Sequence, residues 1–383
     1  MKLDRLDPDD VESFTKQFVG QVIGPGDDGY EEHRRVWNGM IDKHPALIAR
    51  CRSRDDVVRA VNFARDRGLL LAVRGGGHSF AGFSTCDGGV VLDLSNMQAV
   101  VVNADRQVAR AEGGVTWGVF DAATHAHGLA STGGLISTTG IAGLTLGGGI
   151  GWLQRKYGLA CDNLLLVELV TASGEIIRAS EAENRELFWG LRGGGGNFGV
   201  VTSFEFRLHT VSSVVGGLLL FPAGRAAEVM RFYRDYVRSC PDELTTWLSA
   251  ITAPAADFVP EDLHGKAALA VLACHCGDPA DAERALRPLR ALGPAADLIE
   301  SMPYPQPLAP STSTTWAAPS PGSPTMPPPS GTGDQRSAST SWGSGTIPPM
   351  TASTATGYVR SPQRWSPSEP AASMSTSPPN PAP

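Results

Sequence analysis

Residues 73–82, VRGGGHSFAG, place three consecutive glycines ahead of an imidazole. Glycine runs are costly to order, so a folded chain keeps them where backbone must approach something closely or take up positive φ. Backbone N–H groups cleared of side chains donate well to oxyanions, and a phosphate-bearing cofactor is the ligand that Gly75, Gly76 and Gly77 suit. A second stretch, TTGIAGLTLGGGIGWLQRKYGLACDN at 138–163, repeats the theme with Gly140, Gly143, Gly147, Gly148, Gly149, Gly151 and Gly158 among apolar residues. That density suits backbone packed against a flat or extended ligand; a tight crossing of loops is the alternative. His78 and Cys161, each taken alone, are equally consistent with a hydrogen-bonded loop histidine and an inert buried thiol.

Two further patterns point elsewhere. Gly194, Gly196 and Gly199 match G-x-G-x-x-G, but a dinucleotide fold needs a strand before that pattern and a helix after it. Here NRELFWGLRG reads as a helix, with Asn184 its N-cap, and VVTSFEFRLH as the strand that follows. The run Cys274-His275-Cys276 sits on consecutive positions of a strand and lacks the second ligand pair of a metal site, so it reads as packing and no metal is expected.

The elements that must position these residues alternate between helical and strand periodicity as far as about residue 306. DDVVRAVNFARDRG sets Val57, Val61 and Ala64 on one helical face and stops at Gly68. LLLAVR then reads as a buried strand delivering the glycine triplet. Strands flank an Asn-Ala-Asp-Arg turn at 103–106, a helix spans TWGVFDAATHAHG, and LLLVELVTASGEIIRAS reads as a hairpin. From residue 214 a new unit begins: strand VVGGLLLF, a helix over 226–239, strands near 245–252 and 267–275, and a helix over 280–292. Without regular βαβ alternation, the fold class is α+β.

Length and charge narrow the functions. A chain of 383 residues accommodates two domains, and a net charge of −7 argues against a nucleic-acid or anionic-membrane surface. The acidic N-terminus and the lack of an 18-residue apolar run fit a cytoplasmic protein. Six cysteines show no disulfide-framework spacing.

Three blocks together, VRGGGHSFAGFSTCDGGVVLDLSNM, STTGIAGLTLGGGIGWLQRKYGLACDNLLLVELVTASGE and NRELFWGLRGGGGNFGVVTSFEF, resemble the FAD-linked oxidases of the vanillyl-alcohol-oxidase superfamily (PCMH-type FAD-binding), in the berberine-bridge-enzyme-like branch. The resemblance covers residues 35–305. It implies a two-subdomain FAD-binding domain at 35–212 after an N-terminal extension at 1–34, then a substrate (cap) domain of which 213–306 is a part. It implies FAD bonded to the protein twice, through His78 at the flavin 8α-methyl carbon and Cys161 at ring carbon 6. The cofactor-binding set it implies is Arg74, Gly75, Gly76, Gly77, His78, Ser79, Gly82, Gly133, Thr139, Gly140, Gly143, Gly148, Gly149, Gly151, Cys161, Asp162, Asn163 and Val201. Hydride transfer from a small-molecule alcohol, sugar, amine or specialised metabolite, with O2 as the final acceptor, is the implied activity.

Residues 307–383 depart from that pattern. They hold 17 prolines, five charged residues and almost no Leu, Ile, Val or Phe, which predicts a disordered low-complexity tail. The abrupt onset resembles translation in a shifted reading frame, and Tyr358 matches no block of the family. The resemblance therefore assigns no catalytic base, and a flavin-binding remnant without turnover stands as the alternative function.

Overall fold

The structure, a computed structural model, describes residues 6–304. The predicted low-complexity tail and Tyr358 lie outside the described residues. Helix α1 (Pro8–Gln17) opens with Asp7 accepting the Asp9 N–H and Pro8 at its first turn, a combination that satisfies or removes orphan donors. Strand β1 (Gln21–Ile23), helix α2 (Tyr30–Arg34) and strand β2 (Leu47–Arg50) follow, then helix α3 (Arg54–Asp66), capped by Ser53 Oγ. The fully buried Asp56 carboxylate accepts from the backbone N–H groups of Val19, Gly20 and Arg52. Phe14 stacks on Phe63 at 4.4 Å, so the chain's beginning is packed against α3.

Strands β3 (Leu71–Arg74) and β4 (Val90–Asp93) complete a four-stranded sheet in the order β1-β2-β4-β3, in which β2, β4 and β3 run parallel. The expectation of a buried strand at LLLAVR is corrected here. β3 is the sheet's edge, with Leu70 63% and Val73 36% exposed. Its apolar run reflects one covered face, not two.

The second sheet is antiparallel, in the order β5 (Val100–Asn103), β6 (Val108–Glu112), β10 (Val200–Arg207), β8 (Leu164–Val170), β9 (Ile176–Ser180). Helix α4 (Trp117–His125) lies against it, and Trp117, Phe120, Phe204 and Phe206 form the centre of the largest core. The short pair β7 (Leu129–Ala130) and β11 (His209–Thr210) stands apart. Between them run α5 (Ile141–Leu146), α6 (Gln154–Tyr157), a 3-10 turn at 160–163 and α7 (Arg185–Leu191). Asn184 does occupy the N-cap of α7, but in the left-handed region at φ 50°, and its side chain donates to Arg178 O rather than capping. An Asn tolerates that backbone conformation, which is the role the residue type serves here.

The third sheet contains β12 (Ser213–Pro222), β13 (Leu244–Thr252), β14 (Ala267–His275), β15 (Ala296–Asp297) and β16 (Glu300–Pro303), all pairing antiparallel. Helices α8 (Ala226–Tyr236) and α9 (Pro279–Arg290) cover it through Val229, Leu286 and Leu289 against Leu219, Phe221 and Val271. Cys274 and Cys276 are buried against Met302 and Tyr304, and His275 Nδ1 accepts the Gly277 N–H at 3.2 Å. The α+β class and the order of the elements read from the sequence are as expected, while α1, α2, α5, α6 and the β7–β11 pair are additions to that reading. No helix among the described residues is long and apolar enough to cross a membrane.

Candidate functional site

The glycine triplet leaves the carboxyl end of β3, the end at which parallel sheets leave room for ligands. Gly76 meets Gly140 there backbone against backbone. A Cβ on Gly76 would lie 2.2 Å from Gly140 N, and one on Gly140 would lie 2.4 Å from Gly76 N. These two glycines therefore serve a loop crossing, the reading that the sequence left as an alternative. Gly75 abuts Gly113 O, and Gly113 in turn abuts Val201 O, which places Val201 in the wall behind the loop with its side chain in the core.

The crossing sets His78 against residues 138 and 139. Its Nε2 lies 3.0 Å from Thr138 Oγ1 and its Nδ1 3.4 Å from Thr139 Oγ1, while the Trp37 ring stacks on it at 5.4 Å. Burial holds the His78 pKa below the ordinary imidazole value, so the ring is neutral at physiological pH and keeps a lone pair on one nitrogen. The other members of the first loop hold its shape. Arg74 Nη1 donates to His33 O and its guanidinium flanks Gly77; Ser79 Oγ accepts the Phe83 N–H at 3.1 Å; Gly82, at φ 74°, presses on Ile41.

Downstream of the crossing, Gly133 and Gly134 pack on the Trp117 ring, and Gly151 passes so close that its Cβ would lie 1.8 Å from Gly133 O. Gly148 O and Gly149 O accept the N–H groups of Cys161 and Ala160 at 2.9 and 2.8 Å, tying this loop to the 3-10 turn. The Cys161 thiol is buried, and burial followed by the Asp162 charge raises its pKa. Asp162 Oδ2 accepts the Leu159 N–H at 2.8 Å. Asn163 Nδ2 donates to Tyr157 O and Leu159 O, and its Oδ1 faces His209 Nε2 at 2.7 Å. The side chains of Asp162 and Asn163 are thus engaged in shaping the turn that carries Cys161.

Gly143 differs from its neighbours: a Cβ there meets nothing within 4 Å, and at Gly148 only Leu159 stands at 3.9 Å. The positive φ of 106° accounts for a glycine at 148, whereas at Gly143 neither packing nor backbone conformation requires one, and the α5 surface there is open. Gly193 and Gly196 are equally open, and Gly195 N donates to Leu146 O at the end of α5. The stretch set aside for failing the dinucleotide context therefore joins the same site. Sequence reasoning also missed Trp37 and Thr138 as partners of His78. The SerThrThrGly run offered a signal for Thr138, whereas nothing local marks Trp37.

The third sheet closes over this region. Arg155 donates to Cys240 O at 3.0 Å and Lys156 pairs with Glu243 at 3.5 Å. A cavity of about 30 Å³ between the two parts is lined by Leu135, Ile150, Trp152, Gln154, Thr246 and Trp247 among others, with no charged side chain among its lining residues.

Residues 45–180, which contain both the His78 loop and the Cys161 turn, match the FAD binding domain family. The chain is 38% identical over 280 residues to (R)-6-hydroxynicotine oxidase of Paenarthrobacter nicotinovorans, covering 72% of this chain and 58% of that protein. The crystal structure of 6-hydroxy-D-nicotine oxidase from Arthrobacter nicotinovorans superposes with a TM-score of 0.69 at 36% identity, covering 75% of this chain and 62% of the other. The chain contains an FAD binding domain similar to that of FAD-linked oxidoreductases. The chain spans about three-fifths of the length of those relatives. Glucooligosaccharide oxidase of Acremonium strictum, described with a 6-S-cysteinyl, 8α-N1-histidyl FAD, aligns at a TM-score of 0.67 and 27% identity, covering 77% of this chain and 61% of the other.

Proposed function

We propose that the protein is a flavin-dependent oxidase of a small-molecule alcohol, sugar, amine or specialised metabolite, with FAD bonded covalently at His78 and Cys161. One observation carries this reading. Two nucleophilic side chains stand on turns that are tied to each other, through the Gly76–Gly140 crossing, α5 with its open Gly143, and the Gly148–Cys161 hydrogen bond. FAD, when bound, supplies hydride acceptance from the substrate and passes the electrons to O2. The protein's part is orientation and exclusion of water. Thr138 at Nε2 and Thr139 at Nδ1 orient the His78 ring, and because each hydroxyl can donate or accept, the neutral ring can present a lone pair for the bond to the flavin. Gly143 and Gly196 leave room for the cofactor's length, and a substrate would enter past Trp152 and Trp247, which line the small cavity where the third sheet meets the glycine loops.

Two measurements test this. Mass spectrometry of denatured, proteolysed protein is expected to show flavin on the peptides containing His78 and Cys161; flavin released wholly by acid precipitation overturns the bicovalent assignment. Trp247, 45% exposed on the cavity wall, sits on the cap sheet and not at the flavin loops. Trp247→Ala is expected to raise KM roughly 10-fold with little change in kcat, as removal of uniform aromatic contact worth about 1–1.5 kcal/mol does. A fall in kcat with constant KM contradicts that placement.

A further inference from the structure

We infer that His209 is a positioning residue for the Cys161 attachment, acting through Asn163. The inference rests on the flavin reading above. Asn163 Nδ2 donates to two carbonyls, Tyr157 O at 3.0 Å and Leu159 O at 2.9 Å. Carbonyls only accept, so the amide's orientation is fixed and Oδ1 must face the other way, toward His209 Nε2 at 2.7 Å. Nε2 therefore carries a proton and donates. Burial, followed by the charges of Arg207 and Lys156, lowers the His209 pKa to about 4, so the ring is neutral across the physiological range and the donor geometry does not vary with pH.

The His209 ring itself is held from two sides. It stacks on Tyr157 at a centroid distance of 3.9 Å and an interplanar angle of 17°. Its backbone pairs with Ala130 in the short β7–β11 ladder, two residues before Thr132, whose hydroxyl lies 3.5 Å from Asn163 Nδ2. The turn at 157–163 is thus strapped at its base to a separate piece of sheet. Asp162 fixes its other side through Leu159 N. What the strap leaves free is the thiol, whose only side-chain hydrogen-bond contact among the described residues is a weak one to Asp162 Oδ1 at 4.0 Å.

Forming the cysteinyl bond replaces one S–H and one ring C–H with an S–C bond. Two electrons and two protons are released, and O2 takes them up as hydrogen peroxide. The sulfur must reach one ring carbon, and a misplacement of about 1 Å costs on the order of 10²-fold in such a reaction. The His78 attachment lies on a different loop and does not depend on the strap, which gives an internal control.

The experiment follows flavin incorporation at both sites by peptide mass spectrometry after apo-protein is mixed with FAD in air. His209→Phe keeps a ring for Tyr157 and removes the donor; His209→Gln restores a donor at similar reach. The expected result is a fall of roughly 10-fold or more in the rate of Cys161 labelling in His209→Phe, with His78 labelling unchanged and Cys161 labelling recovered in His209→Gln. His209→Asn, polar but too short, serves as a second donor-deficient variant if His209→Phe is insoluble. Wild-type labelling at Cys161 in these variants, or an equal fall at both sites, overturns the inference. A wild-type protein labelled at His78 alone overturns it while leaving the flavin reading intact; no label at either site overturns both.

Discussion

Gly76→Ala is expected to leave no folded protein able to retain flavin, whereas Gly143→Ala is expected to fold normally and lose its hold on the cofactor. The contrast follows from what each new methyl meets. At Gly76 it lands on Gly140 N at 2.2 Å and Gly140 Cα at 2.7 Å, and both are backbone atoms. Neither side of the crossing has a side chain that can rotate away. Moving Gly140 would break the Ile141 N–H bond to Val115 O and the Trp117 N–H bond to Thr139 O, which bind the crossing to the main core. Overpacking costs about 1–3 kcal/mol when neighbours can adjust and more when they cannot, against a total stability on the order of 5–15 kcal/mol. At Gly143 the methyl meets no described atom within 4 Å, and alanine is the better helix former. The fold should be unchanged or slightly firmer, and flavin retention should fall because the methyl occupies the cradle. Thermal unfolding by circular dichroism with flavin absorbance of the purified protein reads both effects. A Gly76→Ala protein that melts with the wild type, or a Gly143→Ala protein with full flavin content, contradicts the site as described.

Asp121 is expected to withdraw stability as pH rises from about 4 to 7, seen as the difference between wild type and Asp121→Asn, because His209, whose pKa burial lowers to about 4, contributes in the opposite direction over the same window. Asp121 lies on α4, almost wholly buried, and its Oδ1 has no hydrogen-bond partner among the described residues. Burial pushes its pKa up to about 7. The unfolded chain gives up this proton near the ordinary carboxylate value, while the folded chain keeps it to about neutrality. The native state therefore binds the extra proton throughout that window and loses relative stability as the proton is withdrawn. A shift of this size corresponds to roughly 4 kcal/mol between pH 4 and pH 8, at 1.36 kcal/mol per unit. Burial, and after it the nearby Asp121 charge, raise the Tyr304 pKa, so its phenol stays protonated throughout this window. Urea titrations of wild type and Asp121→Asn at pH 4, 6 and 8 should converge at the acid end and diverge by a few kcal/mol at the alkaline end. Parallel curves at all three pH values would show that the carboxyl is solvated or paired.

Much of this architecture was legible because its signals are local. The α3 face of Val57, Val61 and Ala64, the Gly68 stop and the 164–180 hairpin depend on periodicity and turn chemistry within a dozen residues. The glycine blocks were legible as a site, but their division of labour was not. Whether Gly76 or Gly143 faces a ligand depends on which distant backbone passes by, and Gly140 is 64 positions from Gly76. Edge placement of β3 escaped for the same reason, since strand order is set by pairing with β4 and not by the strand's own residues. His209 carried no local mark at all; only the β7–β11 ladder brings it to Asn163.

The pairing of β6 with β10 joins Glu112 to Ser203 and so closes a loop that contains Gly140 of the crossing, α5 and the Cys161 turn. In temporal terms, the ribosome makes β6 long before its partner. At about 5–20 residues per second, β10 follows only after roughly 5–18 seconds. During that interval Ala109 and Ala111 lack their central neighbour, and the segments that later surround the ring system have no frame to settle into. Non-local closure of this length is entropically slow to find. The cofactor pocket is therefore among the last parts of the domain to mature, and a nascent chain arrested before residue 200 should expose the Cys161 thiol to alkylating reagents that the finished protein excludes.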